Sequence, residues 1–121
     1  MLLGLRTVIY PAPDLARAKA WYSDVLGIAP YFDQPFYVGF AVGGFELGLL
    51  PGGEPSVNGA QALWGVADAE LEFARLIRLG AMQIEPVTEV GEGIKVASVR
   101  DPFGNRLGII ENALFRTSEV R

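Results

Sequence analysis

The chain of 121 residues contains neither histidine nor cysteine, so any chemistry must come from carboxylates, amines, guanidinium groups, hydroxyls and amides. A thiolate nucleophile, a disulfide, an imidazole acid or base and the commonest ligand of zinc, iron, nickel and copper are all absent from it. Strand alternation places Glu46, Gly48 and Leu50 on one face, and Arg106, Gly108 and Ile110 on a counterpart face. Glu46 and Arg106 are candidates to anchor a ligand; exposed charges near hairpin ends are the competing reading. Glu46 is also the candidate acid or base, provided that burial brings its pKa towards neutrality. Lys95 and Arg100 belong to the strand before Asp101 and either hold an anionic group or form a solvated edge. Glycine at 48 and 108 leaves space for a ligand or another backbone where a strand favours a β-branched residue; a simple bulge is the alternative. Phe36, Tyr37 and Phe40 share one strand, and an aromatic wall suits a small organic ligand; Phe40 is taken as the lining residue. Gly91-Glu92-Gly93 has no helix behind it to cradle a phosphate. Ser23 has no base, and paired carboxylates do not stand out at useful spacing.

The elements that would carry these residues follow from pattern. Leu5–Tyr10 reads as a strand stopped by Pro11-Ala12-Pro13. Asp14 caps a helix with Leu15, Ala18, Trp21 or Tyr22, and Val25 at helical spacing, and Gly27 ends it. Ala29–Phe32 is a short strand and Asp33-Gln34-Pro35 a turn. Phe36–Val42 and Phe45–Leu50 form a hairpin about Gly43-Gly44. Residues 51–59, rich in glycine and proline, form a linker. The order then recurs. Ala60–Val66 is a strand, and Asp68 caps a helix with Leu71, Ala74 and Ile77 on one face, Glu70 and Glu72 in its first turn, and Gly80 at its end. Gln83–Val87 is a strand, Thr88–Gly93 a loop, Ile94–Arg100 a strand, Asp101–Asn105 a turn and Arg106–Glu111 the last strand. A polar tail follows from Asn112, frayed or briefly helical.

Asp14 and Asp68 are 54 residues apart, and Gly27 and Gly80 are 53 apart. Leu47-Gly48-Leu49-Leu50 and Leu107-Gly108-Ile109-Ile110 match at an offset of 60. Three landmarks in the same order indicate an internal duplication. Two such halves can each bury a helix against a sheet. The formal charge of −4, with no basic block, argues against nucleic acid. No secretory leader is evident, and no apolar run reaches the roughly 18 to 20 residues that span a bilayer. A soluble, cytoplasmic protein without a membrane partner is expected.

Two motifs sharpen the expectation. Ala20-Trp21-Tyr22-Ser23-Asp24-Val25-Leu26-Gly27 resembles the FY-x-x-VLG helix end of the vicinal oxygen chelate superfamily, which holds glyoxalase I, bleomycin-resistance proteins and extradiol dioxygenases. Asp101-Pro102-Phe103-Gly104-Asn105 resembles its closing DPxGN hairpin. The resemblance spans roughly residues 5 to 112. It implies an α+β fold of two βαβββ modules, a curved mixed sheet around a cleft, and a homodimer. One domain would then cover residues 1–121, with modules at 5–50 and 60–112 and a tail at 113–121. It also implies four metal-ligand positions, typically His and Glu. Carried over one by one, these fall on Thr7, Gly48, Gln61 and Gly108. That set cannot hold a divalent ion, and a slip of two residues from Gly48 would add only Glu46. No metal and no cofactor are therefore expected. Thr7 and Gln61 would offer neutral hydrogen bonds to a ligand or satisfy backbone. The expected function is binding or sequestering a small organic molecule in a dimer cleft, with Thr7, Phe40, Glu46, Gly48, Gln61, Lys95, Arg106 and Gly108 as candidate contacts. The alternatives are a metal-independent lyase or isomerase of the glyoxalase type, working through Glu46, Lys95 or Arg106, and a scaffold with a vestigial site.

Overall fold

The computed structural model describes residues 1, 3, 5–59 and 61–120. It divides into two compact units, residues 1–55 and 56–120. The first unit contains β1 (Thr7–Pro11), α1 (Leu15–Leu26), β2 (Phe32–Gln34), β3 (Tyr37–Val42) and β4 (Phe45–Leu50). The second contains β5 (Leu63–Gly65), α2 (Ala69–Arg78), β6 (Met82–Gly91), β7 (Ile94–Arg100) and β8 (Arg106–Glu111). A 3-10 turn at Thr117–Glu119 ends the described chain. The sheet orders are β1-β4-β3-β2 and β5-β8-β7-β6. In each sheet the first strand runs parallel to the last, and the other pairs are antiparallel. The fold is thus α+β, with one βαβββ arrangement used twice. No helix among the described residues is long and apolar enough to cross a membrane.

The duplication is visible in the register. Ile9 faces Gly48 in the first sheet and Leu63 faces Gly108 in the second, the same offsets that the sequence shows. Both helices start as expected. The Asp14 carboxylate accepts from the Arg17 N–H at 3.2 Å and that of Asp68 from the Leu71 N–H at 3.1 Å, which satisfies N–H groups that lack an intrahelical partner. Gly27 ends α1 in the left-handed conformation, φ 69°, where a Cβ would be strained.

Each sheet buries one face against its own helix. In the first unit Tyr10, Val38, Phe40, Leu47 and Leu49 pack with Ala18 and Tyr22, all nearly inaccessible. In the second, Ala97, Val99, Leu107 and Ile109 pack with Ala69 and Leu76. Here the structure corrects one expectation: Leu71, Ala74 and Ile77 of α2 are all exposed. The buried stripe is Ala69 and Leu76 with Phe73 half-buried between them, spaced i, i+4, i+7. Both stripes have helical period, and the larger side chains Phe73 and Leu76 take the sheet side.

Three boundaries also move. The strand expected at Ala29–Phe32 is Phe32–Gln34, because Gln34 pairs with Tyr37 and the turn is therefore Pro35-Phe36. Proline's fixed φ suits the first corner of such a turn. The loop expected at Thr88–Gly93 is mostly strand: β6 continues to Gly91 and turns only at Glu92-Gly93. Its register against β7 shifts three times, between Gln83 and Glu85, Glu85 and Thr88, and Glu89 and Gly91. Each shift breaks the two-residue alternation that marks a strand. Pro86 is tolerated there because β6 is an edge strand. The strand expected at Ala60–Val66 covers only Leu63–Gly65; Ala60 lies outside the described residues.

Candidate functional site

The face of the first sheet opposite α1 carries the most chemistry. The Gly43-Gly44 turn sets the β3–β4 register so that Ala41 faces Glu46, Gly39 faces Gly48 and Phe40 faces Leu47. Tyr37, Gly39 and Ala41 therefore share the open face with Glu46, Gly48 and Leu50. Thr7 joins them from β1, directly opposite Glu46. Asp33 turns towards α1, where it pairs with Lys19 at 3.0 Å, so Phe32 and Gln34 of β2 also face the open side.

The Glu46 carboxylate gathers three hydroxyls. Its Oε1 accepts from Thr7 Oγ1 at 3.1 Å and from the Tyr37 hydroxyl at 2.8 Å. Its Oε2 accepts from the Tyr31 hydroxyl. Beneath this cluster lies a pair of glycines, and the absence of side chains there makes the cluster fit. A Cβ on Gly39 would lie 2.7 Å from Glu46 Oε2 and 3.2 Å from Tyr31 Cε1. A Cβ on Gly48 would lie 2.6 Å from Tyr37 Cζ and 2.9 Å from its Cε1, on top of the phenolic oxygen. The space left open by Gly48 is filled by the Tyr37 phenol.

The hydrogen bonds set the acidities. That from Tyr31 chiefly lowers the Glu46 pKa; partial burial opposes this, and the bonds from Tyr37 and Thr7 add to the lowering. A carboxylate with three donors is stabilised as the anion. It is a weaker base than a free one, which runs against the acid–base role expected of Glu46. Burial first, and then the bond to Glu46, pushes the Tyr37 phenol up to about 12. The bond to Glu46 likewise raises Tyr31. A raised phenol favours folding while both states are protonated. That contribution is fully present below the ordinary value of 10.0 and is lost as pH rises through about 12. Tyrosinate absorbance should include the Tyr37 phenol ionising near pH 12, and Tyr37→Phe should take one phenol's amplitude out of that late step. A Tyr37→Phe protein whose late step keeps its full amplitude would contradict the placement.

The other candidates fall elsewhere. Phe40 is fully buried at 0% exposure; it belongs to the core against α1 and not to the open face, where β3 places Tyr37 instead. Lys95 pairs with Glu70 of α2 at 3.2 Å and lies opposite Glu111. It is therefore on the helix side of the second sheet, away from Gly108 and Arg106. Gln61 is exposed and precedes β5. Arg106, opposite Arg100 on the open face of the second sheet, forms an ion pair with Glu85, and Ser98 Oγ donates to the same Glu85 oxygen at 3.4 Å. A Cβ on Gly108 would lie 2.6 Å from Leu63 Cδ2 and 2.8 Å from the Ala62 carbonyl oxygen. Gly108 thus admits a close backbone approach, one of the two readings of its position.

Two features escaped the sequence reading. Tyr31 lies just before β2, where the strand was misplaced by a few residues; its N–H donates to the Gly39 carbonyl at 3.0 Å, which brings its ring over the site. Asp68, Glu70 and Glu111 bring carboxylate oxygens within 4.8 Å of one another. Local duties explain that cluster: Glu111 accepts from the Ala69 N–H at 2.9 Å, Asp68 caps α2 and Glu70 holds Lys95.

Residues 4–109 match the Glyoxalase/Bleomycin resistance protein/Dioxygenase superfamily. The chain belongs to that superfamily. Solved structures agree on the fold. A member of the same superfamily from Sphaerobacter thermophilus DSM 20745 superposes with a TM-score of 0.76 at 18% identity, over 93% of this chain and 99% of that one. A lactoylglutathione lyase from Agrobacterium tumefaciens gives 0.75 at 21%, over 95% and 98%. TioX from Micromonospora sp. ML1 gives 0.71 at 23%, over 89% and 98%. No curated protein matches the sequence. At these identities the superfamily members share a fold, and activity must be argued from the residues.

Proposed function

We propose that this superfamily member is a cytoplasmic homodimer that binds a small organic molecule without a metal, on the open face of the first sheet around Glu46. The observation that carries this reading is the carboxylate of Glu46, held by Thr7, Tyr31 and Tyr37 over the Gly39–Gly48 floor. A polar anchor held by neutral donors and flanked by aromatic rings is the usual make-up of a small-molecule site. Exposed apolar side chains, Ile9 at 51% and Leu50 at 42%, offer area for a ligand or for a second copy. On the second sheet, considered by itself, Arg106 steadied by Glu85 is a separate candidate anchor, with Gln61 exposed and Gly108 beside Leu63.

The residues at the superfamily's metal positions support the metal-free reading. Thr7, Gly48, Gln61 and Gly108 supply no charged ligand, and a divalent ion needs carboxylate or imidazole donors. Glu46 stands beside Gly48 and already accepts from three hydroxyls, and Glu85, which meets Ser98 opposite Gly108, is held by Arg106.

The test is a titration followed by amide NMR, with bleomycin and a set of simple aromatic compounds as probes. Binding should shift the Gly39 and Gly48 amides, and Glu46→Gln should weaken it about tenfold, the scale of one lost charge-assisted hydrogen bond in a partly dry site. Shifts confined to other residues, or no saturation by any probe, would overturn the reading. So would turnover of a glutathione hemithioacetal that survives a chelator and is lost in Glu46→Gln. Sedimentation should give a dimer; a monomer at high concentration would remove that part of the proposal.

A further inference from the structure

The charges around Glu46 narrow the chemical class of a ligand on this face. All three groups that hold the carboxylate are neutral hydroxyls. Among the described residues no lysine or arginine pairs with it. Arg6, the cation adjoining Thr7 in sequence, turns its Nη1 to the carbonyls of Leu3 and Leu5 at 3.4 and 3.3 Å. Lys19 is engaged by Asp33 on the opposite side of the sheet. A full negative charge therefore stands on this face with its hydrogen bonds partly met and its charge unbalanced.

The remaining valence has a direction. A carboxylate accepts about four hydrogen bonds. Oε1 has two, from Thr7 and Tyr37, whereas Oε2 has one, from Tyr31. Tyr31 is 63% exposed, so its ring can swing aside without opening the core. Two aromatic rings stand beside that oxygen over Gly39. The Tyr31 and Tyr37 rings flank the carboxylate, and the Phe32 ring lies 6.1 Å from that of Tyr37 and 5.9 Å from that of Phe36. Electron-rich ring faces beside an anion favour a cation twice over, through the charge-assisted hydrogen bond and through the ring quadrupole. A neutral hydroxyl would gain one ordinary hydrogen bond here, and a carboxylate would be repelled.

We infer that the open face of the first sheet selects an organic monocation, a protonated primary amine carried on an aromatic ring, with Glu46 as its counter-ion and Tyr31 as a displaceable cover. This inference rests on the binding reading of the same face and adds charge selectivity to it. The ammonium takes the open position of Oε2, and the ring of the ligand lies against the Tyr31 and Tyr37 rings above Gly39.

The experiment holds the ring constant and changes the charge. Benzylammonium, benzyl alcohol and benzoate are titrated at neutral pH and low salt, with the Gly39 and Gly48 amides as reporters. Benzylammonium should bind about tenfold more tightly than benzyl alcohol, and benzoate should not saturate. Glu46→Gln should erase the preference. Tyr31→Phe should tighten benzylammonium about threefold, because it removes the donor that competes for Oε2 and keeps the ring. Equal affinity for benzylammonium and benzyl alcohol would overturn the cation assignment while leaving the binding reading intact. A preference that survives in Glu46→Gln would overturn it too. If no ring compound and no bleomycin bind, both readings fall together. Should Glu46→Gln lose amide dispersion, the charge series on the natural chain and on Tyr31→Phe still decides.

Discussion

Phe40→Ala is expected to cost about 3 to 5 kcal/mol of stability, the range for emptying a fully buried phenylalanine site. Phe40 is wholly inaccessible and paired across the hairpin with Leu47, which is equally buried. Val38 and Leu49 flank them on the same face, so the cavity would be walled by other core side chains and could collapse only partly. Against the roughly 5 to 15 kcal/mol that holds a typical domain folded, this is a large fraction. Phe40→Leu retains most of the volume and should cost about 1 kcal/mol. Urea unfolding followed by tryptophan emission measures both, and Trp64→Phe leaves Trp21 on α1 as the sole reporter of the first unit. A loss below about 1 kcal/mol for Phe40→Ala would mean that the ring faces a ligand surface after all.

Gly48→Ala should destabilise the first unit by about 1 to 3 kcal/mol and at the same time dismantle the candidate site. The added methyl would land on the Tyr37 phenol, 2.6 Å from Cζ, well inside van der Waals contact. The φ of Gly48 is not among the positive ones, so the backbone itself accepts alanine. The clash must be relieved by moving the phenol off Glu46, which breaks the 2.8 Å hydrogen bond. Two consequences separate this account from generic strain. The Tyr37 phenol should ionise earlier in Gly48→Ala, since one cause of its raised pKa is the bond to Glu46. In a Tyr37→Ala background the same substitution should cost almost nothing, because the atom it meets is gone; the cycle isolates that single contact. If the cost is unchanged in the double variant, the crowding lies in the backbone and the phenol is not what Gly48 accommodates.

Acid should act on the same cluster in the opposite sense. The Glu46 pKa is lowered in the folded state by its bonds to the hydroxyls. Its contribution is therefore present above the ordinary carboxylate value of 4.5 and fades as pH falls through the folded value. The two phenols and the carboxylate thus bracket a broad range over which the constellation stays intact, neutral hydroxyls around one anion. This is the protonation state that the binding reading needs at physiological pH.

Much of this was readable from the chain alone, because it depends on neighbours in sequence. The capping aspartates Asp14 and Asp68, the left-handed stop at Gly27, the Gly43-Gly44 hairpin and the matching offsets of the two halves are local, and local sterics and hydrogen bonding fix them. The absence of histidine and cysteine is a fact of composition and narrows the chemistry without any fold. The face shared by Tyr37 with Glu46 was also legible: a two-residue turn at Gly43-Gly44 obliges odd-numbered residues of β3 to share a face with even-numbered residues of β4. Phe40 therefore had to oppose Leu47. What the sequence could not decide was anything set by contact between distant segments. The irregular register of β6 hides a strand because each shift erases the alternation. The choice between the two apolar stripes of α2 depends on which one meets β6 and β7. The reach of Tyr31 across β3 to Glu46, and the glycine pair whose missing side chains make room for two phenols, depend on strands brought together by pairing. Periodicity states that a side chain has a face. Only the packed sheet determines which neighbours it meets there.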